Sequence, residues 1–512
     1  MRRWLCPQRS LPSLETKRTF SSSASILTRV GIAQLLTKTG GEVNDVDVHG
    51  WVRNVRRQKK VAFVALGDGS TLDPLQAVLK PDDAAQLSVG AAVRLTGSWQ
   101  ASQGTKQSHE LQVTGVKALG ENDPEHNPLQ PKSQTPEYLR TIPHLRPRIP
   151  ANALLLRLRS QVIASITSHF NKQGFVQCHT PIITSSDCEG AGEVFTVSSN
   201  DSKDTKTETK PGDNAEVEHF FRTTKYLTVS SQLHLEALAQ AVDKVWTLSP
   251  TFRAEKSDTP RHLAEFYMLE AEMCFTDDLN DIMDVVQKML AATAEDLLGS
   301  RTGEELLKAR SSSEQTADET LGEITTATLR QRWVGMAEGN WPRITYAEAI
   351  DHLRKAQQNG TVKFIFDPTY ANGLQAEHER YLATTIGRNT TPVFVTDYPF
   401  AQKPFYMSPS LSSINTKGTS DTAACFDLLV PDLCELVGGS MREHRLAELQ
   451  ATMKAKGVNG NGLEWYQDLR RYGSVPHGGF GLGFDRLLCY LGGVNNLRDI
   501  VAFPRWVGRC DA

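Results

Sequence analysis

Residues 251–272 read TFRAEKSDTPRHLAEFYMLEAE. Two strand-like runs, 245–255 and 266–275, flank a polar loop, and the second of them decides the fold. Alternate side chains of an extended chain face opposite ways. Phe266, Met268, Glu270 and Glu272 therefore share one face, and Tyr267, Leu269, Ala271 and Met273 the other. Two carboxylates stand together on one face of an otherwise apolar strand. Across the loop Arg253 and Glu255 share a face in the same way. A buried ion-pair network is one explanation. Buried pairs are a poor stability device, because desolvation cancels much of their attraction. Arrays of this kind more often line a site.

The theme recurs downstream. Residues 426–443 read FDLLVPDLCELVGGSMRE, which sets Asp427, Glu435 and Arg442 in apolar strands, with Gly438 and Gly439 permitting close backbone approach. Residues 477–493 read HGGFGLGFDRLLCYLGG. No clear βαβ unit precedes this glycine string, and Arg486 stands where a dinucleotide fingerprint needs its third glycine, so a Rossmann reading is poor. A glycine-lined strand feeding a helix that carries Arg486 suits a phosphate contact, since a guanidinium fork matches phosphate oxygens.

Outward from these runs, the rest of the large domain spans 151–512. Leu155, Leu158, Val162, Ile166 and Phe170 recur at helical spacing, and Gly174 ends that helix. Residues 175–183 read as a strand interrupted at Thr180-Pro181, and Pro181 belongs at an edge or interface because it cannot donate to a ladder. Residues 198–218 are almost wholly polar and 301–340 weakly patterned; both read as inserts.

Upstream, residues 31–125 hold five short apolar runs split by polar turns, at 46–55, 61–66, 75–79, 91–99 and 110–116. That pattern fits an OB-fold barrel. Arg53, Arg56, Arg57, Lys59 and Lys60 put five cations in eight residues, just before Phe63. Cations for phosphates and an aromatic for a base are the usual single-strand recipe. A solvated hairpin tip explains them equally well. Residues 126–150 carry Pro128, Pro131, Pro136, Pro143, Pro147 and Pro150, which rule out a long helix and leave a basic hinge with Arg140, Arg146 and Arg148. Residues 1–30 hold Arg2, Arg3, Arg9, Lys17, Arg18 and Arg29 against the single acid Glu15, with many serines and no apolar core. This is the composition of a mitochondrial transit peptide, and a disordered tail is the alternative.

The 512 residues allow about three domains at ~150 residues each. No run of ~18 apolar residues exists, which excludes a membrane-spanning helix. A net charge of −3 excludes a wholly basic nucleic-acid coat while permitting a local patch. Eight scattered cysteines without C-x-x-C support neither a zinc knuckle nor a disulfide framework, and fit a reducing compartment.

These segments resemble the class II aminoacyl-tRNA synthetases. Residues 251–272 are similar to motif 2 of that family, GFGLGFDRLL at 479–488 to motif 3, and GFVQCHTPIIT at 174–184 to motif 1. The barrel places the resemblance in the aspartyl, asparaginyl and lysyl subgroup. It implies an α+β fold, with an OB-fold joined by a hinge to an antiparallel-sheet catalytic domain, and a homodimer through motif 1 around Pro181. It implies that Arg253 grips the ATP α-phosphate, with Glu255 as its acidic partner, and that Phe266 stacks on adenine. Arg261 and Arg486 would hold the γ-phosphate end, with His262 in the same ATP set. Arg253 and Arg486 would be catalytic. Asp427 and Glu435 would bind Mg²⁺, which favours a few carboxylates plus phosphate oxygens. Glu189 and Gln232 would hold the substrate α-amino group. Phe63, Gln76 and Arg53 would read anticodon bases.

Among the amino acids, asparagine fits best. Aspartyl members carry a lysine where this chain has Leu235, and an aspartate where it has Glu270. By resemblance to asparaginyl members, Glu270 accepts the side-chain amide hydrogens and Arg442 donates to the amide oxygen. A carboxylate substrate would face Glu270 with no lysine to offset the repulsion. Ser231 replaces a glycine, and Met441 a glutamine, usual in asparaginyl members. The implied partners are ATP, asparagine and tRNA(Asn), in the mitochondrial matrix. An aspartate-loading enzyme, a non-catalytic RNA-binding paralogue and an asparagine synthetase of related fold are the alternatives.

Overall fold

The computed structural model describes residues 29–38, 40–105, 107–130, 132–185, 193–199, 220–316, 324–411, 421–458 and 462–512. The proposed leader up to residue 28, most of the 198–218 insert, and Glu189 lie outside the described residues. The chain divides after Asn127 into two compact units.

In the first unit, β1 (Val43–Arg57), β2 (Ala62–Gly67), β3 (Leu75–Leu79), β4 (Ala92–Ala101) and β5 (His109–Gly120) close a barrel in the order β1-β2-β3-β5-β4. Period-two alternation fills it: Ala62, Val64, Leu66, Leu75, Ala77 and Leu79 all point inward and are buried. The OB-fold expectation holds, and all five strands fall where the apolar runs lie.

The second unit is built on an eight-stranded sheet. Its strands are β6 (Val176–Gln177), β10 (Lys244–Phe252), β11 (Glu265–Cys274), β12 (Arg343–Thr345), β13 (Val393–Thr396), β14 (Cys425–Val430), β15 (Cys434–Met441) and β16 (His477–Gly483). Their order is β12-β13-β14-β15-β16-β11-β10-β6, antiparallel throughout the centre. A small separate sheet holds β7 (Ile183–Thr184), β8 (Thr196–Val197) and β9 (Lys225–Leu227). The helix Pro150–Lys172 buries the stripe Leu155, Leu158, Val162, Ile166 and Phe170, as its spacing dictates, mainly against the helices Leu279–Leu298, Arg301–Thr316 and Phe484–Gly492, with Phe170 stacked on Trp246 of β10 at 4.9 Å. The fold class is the α+β one expected.

Four local expectations need correction. The 175–183 strand is two two-residue strands in different sheets, β6 beside β10 and β7 beside β9, because Pro181 cannot continue a ladder. The 245–255 strand stops at Phe252, so Arg253 and Glu255 lie in the loop beyond it. Most of the 126–150 hinge is docked: Arg146 is buried and donates to the Arg498 and Val501 carbonyls, and Arg140 pairs with Asp499 at 2.7 Å. Those two arginines serve the second unit's own carbonyls and carboxylate. Finally, 301–340 is no polar insert. It supplies the helices Arg301–Thr316 and Thr326–Ala337, whose Leu306, Leu329, Trp333 and Met336 enter the main core. Apolar residues this sparse reveal no stripe until a partner surface exists.

Trp333 is fully buried, and its indole N–H donates to the Leu491 carbonyl at 2.9 Å. Trp333→Ala is expected to cost about 3–5 kcal/mol in denaturant unfolding of the second unit. A true surface insert would tolerate the change.

Candidate active site

Strand β11 lies between β10 and β16, with Glu270 opposite Thr247 on one side and Gly481 on the other. This register turns Phe266, Met268, Glu270 and Glu272 to the open face of the sheet. Two adjoining cavities lie there, of about 200 and 260 Å³, sharing Arg253, Met268, Glu435 and Gly481 as a common wall.

The first cavity gathers arginines. Arg253, Arg261 and Arg486 line it with Phe266, Glu255 and His262. The Arg253 guanidinium lies 5.8 Å from the centre of the Phe266 ring, and its Nη1 is 3.9 Å from Glu255. Glu255 also meets His262 Nε2 at 3.2 Å. Arg261 donates to the Asp432 carbonyl at 2.9 Å and to Cys434 Sγ at 3.4 Å, and Asp432 is in turn held by the buried Arg332. Arg486, on the helix Phe484–Gly492, donates to the Glu435 carbonyl at 3.0 Å. Three guanidinium groups thus share this space with the carboxylates of Glu255, Glu435 and Asp485, of which Glu255 meets His262 and Asp485 is paired with Arg159 at 2.5 Å, and three converging guanidinium groups suit a polyphosphate.

The second cavity is lined by Glu270, Glu272, Gln232, Leu235, Lys403, Asp427, Glu435 and Arg442, among others. Glu270 is buried and accepts from Ser230 Oγ at 2.5 Å and from the Ser231 backbone N–H at 2.9 Å. Burial pushes its carboxyl above the ordinary range, against those two hydrogen bonds. A carboxylate has about four acceptor sites, so two N–H or O–H donors leave room for a third. Glu272 behaves differently. It pairs with Arg442 through Nε at 3.1 Å and Nη2 at 3.0 Å, while Arg442 Nη1 donates to Ser440 Oγ at 2.7 Å. Burial works against the Arg442 charge, but Glu272 raises its pKa above the usual arginine value. The two glutamates of one strand face thus differ: both line this cavity, but Glu272 is held in a buried ion pair, whereas Glu270 meets only hydroxyl and backbone donors.

A lysine does stand in this cavity, which corrects the expectation of none. Lys403 Nζ is 3.2 Å from Asp427 and 3.8 Å from the centre of the Tyr398 ring, so its charge is committed to Asp427. Ser231 and Met441, the two departures from the asparaginyl pattern, do not line this cavity. The Ser231 hydroxyl meets Thr180 Oγ1 at 2.7 Å, and Met441 faces the opposite side of the strand.

Asp427 on β14 and Glu435 on β15 converge over Gly438, where a Cβ would sit 3.1 Å from Glu435 Oε1 and 3.6 Å from Asp427 Oδ1. Burial, then repulsion from Asp427, raises the Glu435 pKa. Glu379 lies behind them and is pushed up to about 7 by burial first, then by Glu435 and Asp427. Sequence reasoning missed Glu379 and Lys403, and no local pattern marks either one.

In the barrel, Phe63 and Gln76 share the outer face of β2 and β3, because Ala65, two residues beyond Phe63, pairs with Gln76. Arg56 lies over the Phe63 ring at 5.6 Å. Gln76 Nε2 donates to Glu110 at 3.3 Å. Two of the five cations are not directed at a ligand: Arg53 donates to the Leu72 carbonyl at 2.7 Å, and Arg57 to those of Ala84 and Leu87 at 2.9 Å. The chain's own carbonyls claim them. Arg56, Lys59 and Lys60 remain exposed.

Residues 136–507 match the family model described as tRNA synthetases class II (D, K and N), and residues 46–119 match that of an OB-fold nucleic acid binding domain. The chain belongs to the class II tRNA synthetases of this D, K and N group. A Mus musculus asparaginyl-tRNA synthetase is 41% identical, covering 95% of both chains. A mitochondrial asparagine–tRNA ligase of Saccharomyces cerevisiae is 41% identical, covering 90% of this chain and 92% of its own. The solved asparaginyl-tRNA synthetase of Pyrococcus horikoshii, complexed with asparaginyl-adenylate, superposes with a TM-score of 0.76 at 28% identity, covering 94% of this chain and 99% of its own. Within the family, the chain groups with the asparagine–tRNA ligases.

Removing one partner of a buried pair strands the other's charge, at about 3–5 kcal/mol. Glu272→Leu alone is expected to destabilise by about that much, and Glu272→Leu with Arg442→Leu by clearly less. Chemical denaturation of the four corners of that double-mutant cycle measures the difference.

Proposed function

We propose that the chain activates asparagine with ATP and transfers it to tRNA(Asn) in the mitochondrial matrix. One observation carries the substrate choice. The cavity joined to the arginine-lined one presents a buried Glu270 and an Arg442, while Lys403 is paired with Asp427. Glu270 accepts the amide N–H groups and Arg442 donates to the amide oxygen. An acid side chain would set two carboxylates face to face. A site built to pair a substrate N–H rejects analogues lacking it by ~10⁴–10⁵.

The reaction needs placement and positive charge more than a strong base. The asparagine carboxylate oxygen bonds to the α-phosphorus as the bond to pyrophosphate breaks. Arg253 faces the α-phosphate and Phe266 stacks on adenine. Arg261 and Arg486 hold the far end of the triphosphate, with His262 and Glu255 ordering the loop around them. Arg253 and Arg486 are the catalytic pair. Gln232, and Glu189 beyond the described residues, hold the α-ammonium. The terminal ribose hydroxyl of tRNA then attacks the adenylate carbonyl, and AMP leaves.

The hard oxygen donors Asp427 and Glu435, converging over the space left by Gly438, fit Mg²⁺. When bound, the ion supplies positive charge to the phosphate oxygens. Exposed Val176, Ile182 and Ile183 around Pro181 give an apolar surface in favour of a homodimer through motif 1. The basic, serine-rich 1–30 segment and the mitochondrial relative support import. Among the described residues no helix is long and apolar enough to cross a membrane.

Pyrophosphate exchange across asparagine, aspartate and lysine tests the assignment: asparagine alone is expected to drive it. Turnover of aspartate at a similar rate overturns the substrate choice. Arg486→Ala is expected to abolish exchange while leaving tRNA affinity within twofold of the parent (about 0.4 kcal/mol). Phe63→Ala is expected to weaken tRNA binding by about 1–3 kcal/mol, seen as slower charging at limiting tRNA with exchange unaffected.

A further inference from the structure

Glu236 lies one turn after Gln232 on the helix Gln232–Val242 and is fully buried, lining neither cavity. Its oxygens are enclosed by donors. Tyr466 OH donates to both, at 3.0 and 2.8 Å, Arg470 Nη2 to Oε2 at 2.5 Å, and His477 Nε2 stands 3.1 Å from Oε2. Burial would raise its pKa, but Arg470 and then His477 hold it well below the ordinary carboxylate range. An ionised carboxylate only accepts hydrogen bonds. The fifth contact is to the substrate cavity's own wall: Gln232 Nε2 donates to Glu236 Oε1 at 3.1 Å.

That contact fixes which end of the Gln232 amide faces the cavity. The nitrogen must turn to the carboxylate, so the carbonyl oxygen is the group presented outward. An α-ammonium has three donors and no acceptor. It bonds to an outward carbonyl and is repelled by an outward NH₂. Arg470 and Tyr466 keep Glu236 in place from behind. The Arg470 Nε donates to the Glu443 carbonyl at 2.9 Å, beside Arg442, and the Arg442 backbone N–H bonds to the His477 carbonyl at 2.9 Å. The same buried cluster thus supports both the ammonium end and the amide end of the pocket.

We infer that Glu236 is a positioning residue for substrate binding, which locks the Gln232 amide with its oxygen toward the amino-acid ammonium. This rests on the amino-acid-activating function proposed above, and it assigns a role to a side chain that never touches substrate.

The test compares asparagine with succinamate, its analogue lacking the α-amino group, in pyrophosphate exchange by the full chain. In Glu236→Gln the neighbouring amide is no longer forced into one orientation. The KM for asparagine is expected to rise about ten- to a hundredfold, the range of a hydrogen bond to a charged group. The KM for ATP and the inhibition constant of succinamate are expected to stay within about twofold, since neither ligand meets Gln232 through an ammonium. A parallel rise for asparagine and succinamate makes Glu236 a support of the whole pocket and overturns the inference, as does an unchanged asparagine KM. Glu236→Asp keeps the charge for Arg470 but withdraws the acceptor from Gln232. It is expected to give the same split, and it serves where Glu236→Gln does not fold. In a Gln232→Ala background, Glu236→Gln is expected to add nothing to the asparagine KM, and an additive effect overturns the coupling. The parent chain's exchange rate with asparagine tests the function separately. If another amino acid drives exchange, the comparison runs with that one and its desamino analogue, because the ammonium is common to all.

Discussion

The site depends on the in-register pairing of β11 with β10 and β16. Antiparallel pairing on both sides removes any freedom of the strand to slip, and a slip by one residue would turn every side chain to the other face. With the register set, Phe266, Met268, Glu270 and Glu272 stand in a row from the arginine-lined cavity to the floor of the second one. One strand thereby carries an aromatic ring beside the arginines, a methionine between the two cavities, a buried carboxylate open to the second cavity and an ion-pair anchor. Small residues on β16 make this possible: a Cβ at Gly479 would lie 2.0 Å from Glu272 Oε2, so only glycine leaves room for the carboxylate.

Charge placement follows from that geometry. Isolated buried charges are expensive, and the catalytic unit buries many. They are arranged as donors matched to acceptors: Glu272 with Arg442, Glu236 with Arg470 and His477, Asp427 with Lys403. The groups left without an opposite charge in contact are the informative ones. Glu270 has hydroxyl and backbone donors only, and Glu435 faces Asp427 across the gap above Gly438. Each is raised in pKa by burial and stands where a ligand group would complete its surroundings. The same contrast separates structure from recognition in the barrel, where Arg53 and Arg57 are spent on backbone carbonyls and Arg56 lies over Phe63 in solvent.

Much of this was legible beforehand. Period two gave the face of β11, five apolar runs gave the barrel, and the glycine-lined strand before Arg486 lies where its pattern placed it. Local pattern marked Arg253, beside Glu255, and Phe63, after five cations, but what each would contact, and any mark on Arg261, came only from family resemblance. The helices within 301–340 were misread because Leu306, Leu329, Trp333 and Met336 are too few to mark a stripe in a polar segment.

Sequence alone therefore determined what is local: strand alternation, helix stripes, the proline break at Pro181 and the order of the motifs. These follow from backbone geometry, which repeats every two residues or every 3.6. Only the tertiary structure decided which charges are partners. Glu272 and Arg442 stand 170 positions apart, Glu236 and Arg470 stand 234 apart, and Lys403 reaches Asp427 from a separate loop. Electrostatic pairing depends on separation in space and on excluded water, and neither is written in the spacing of residues along the chain.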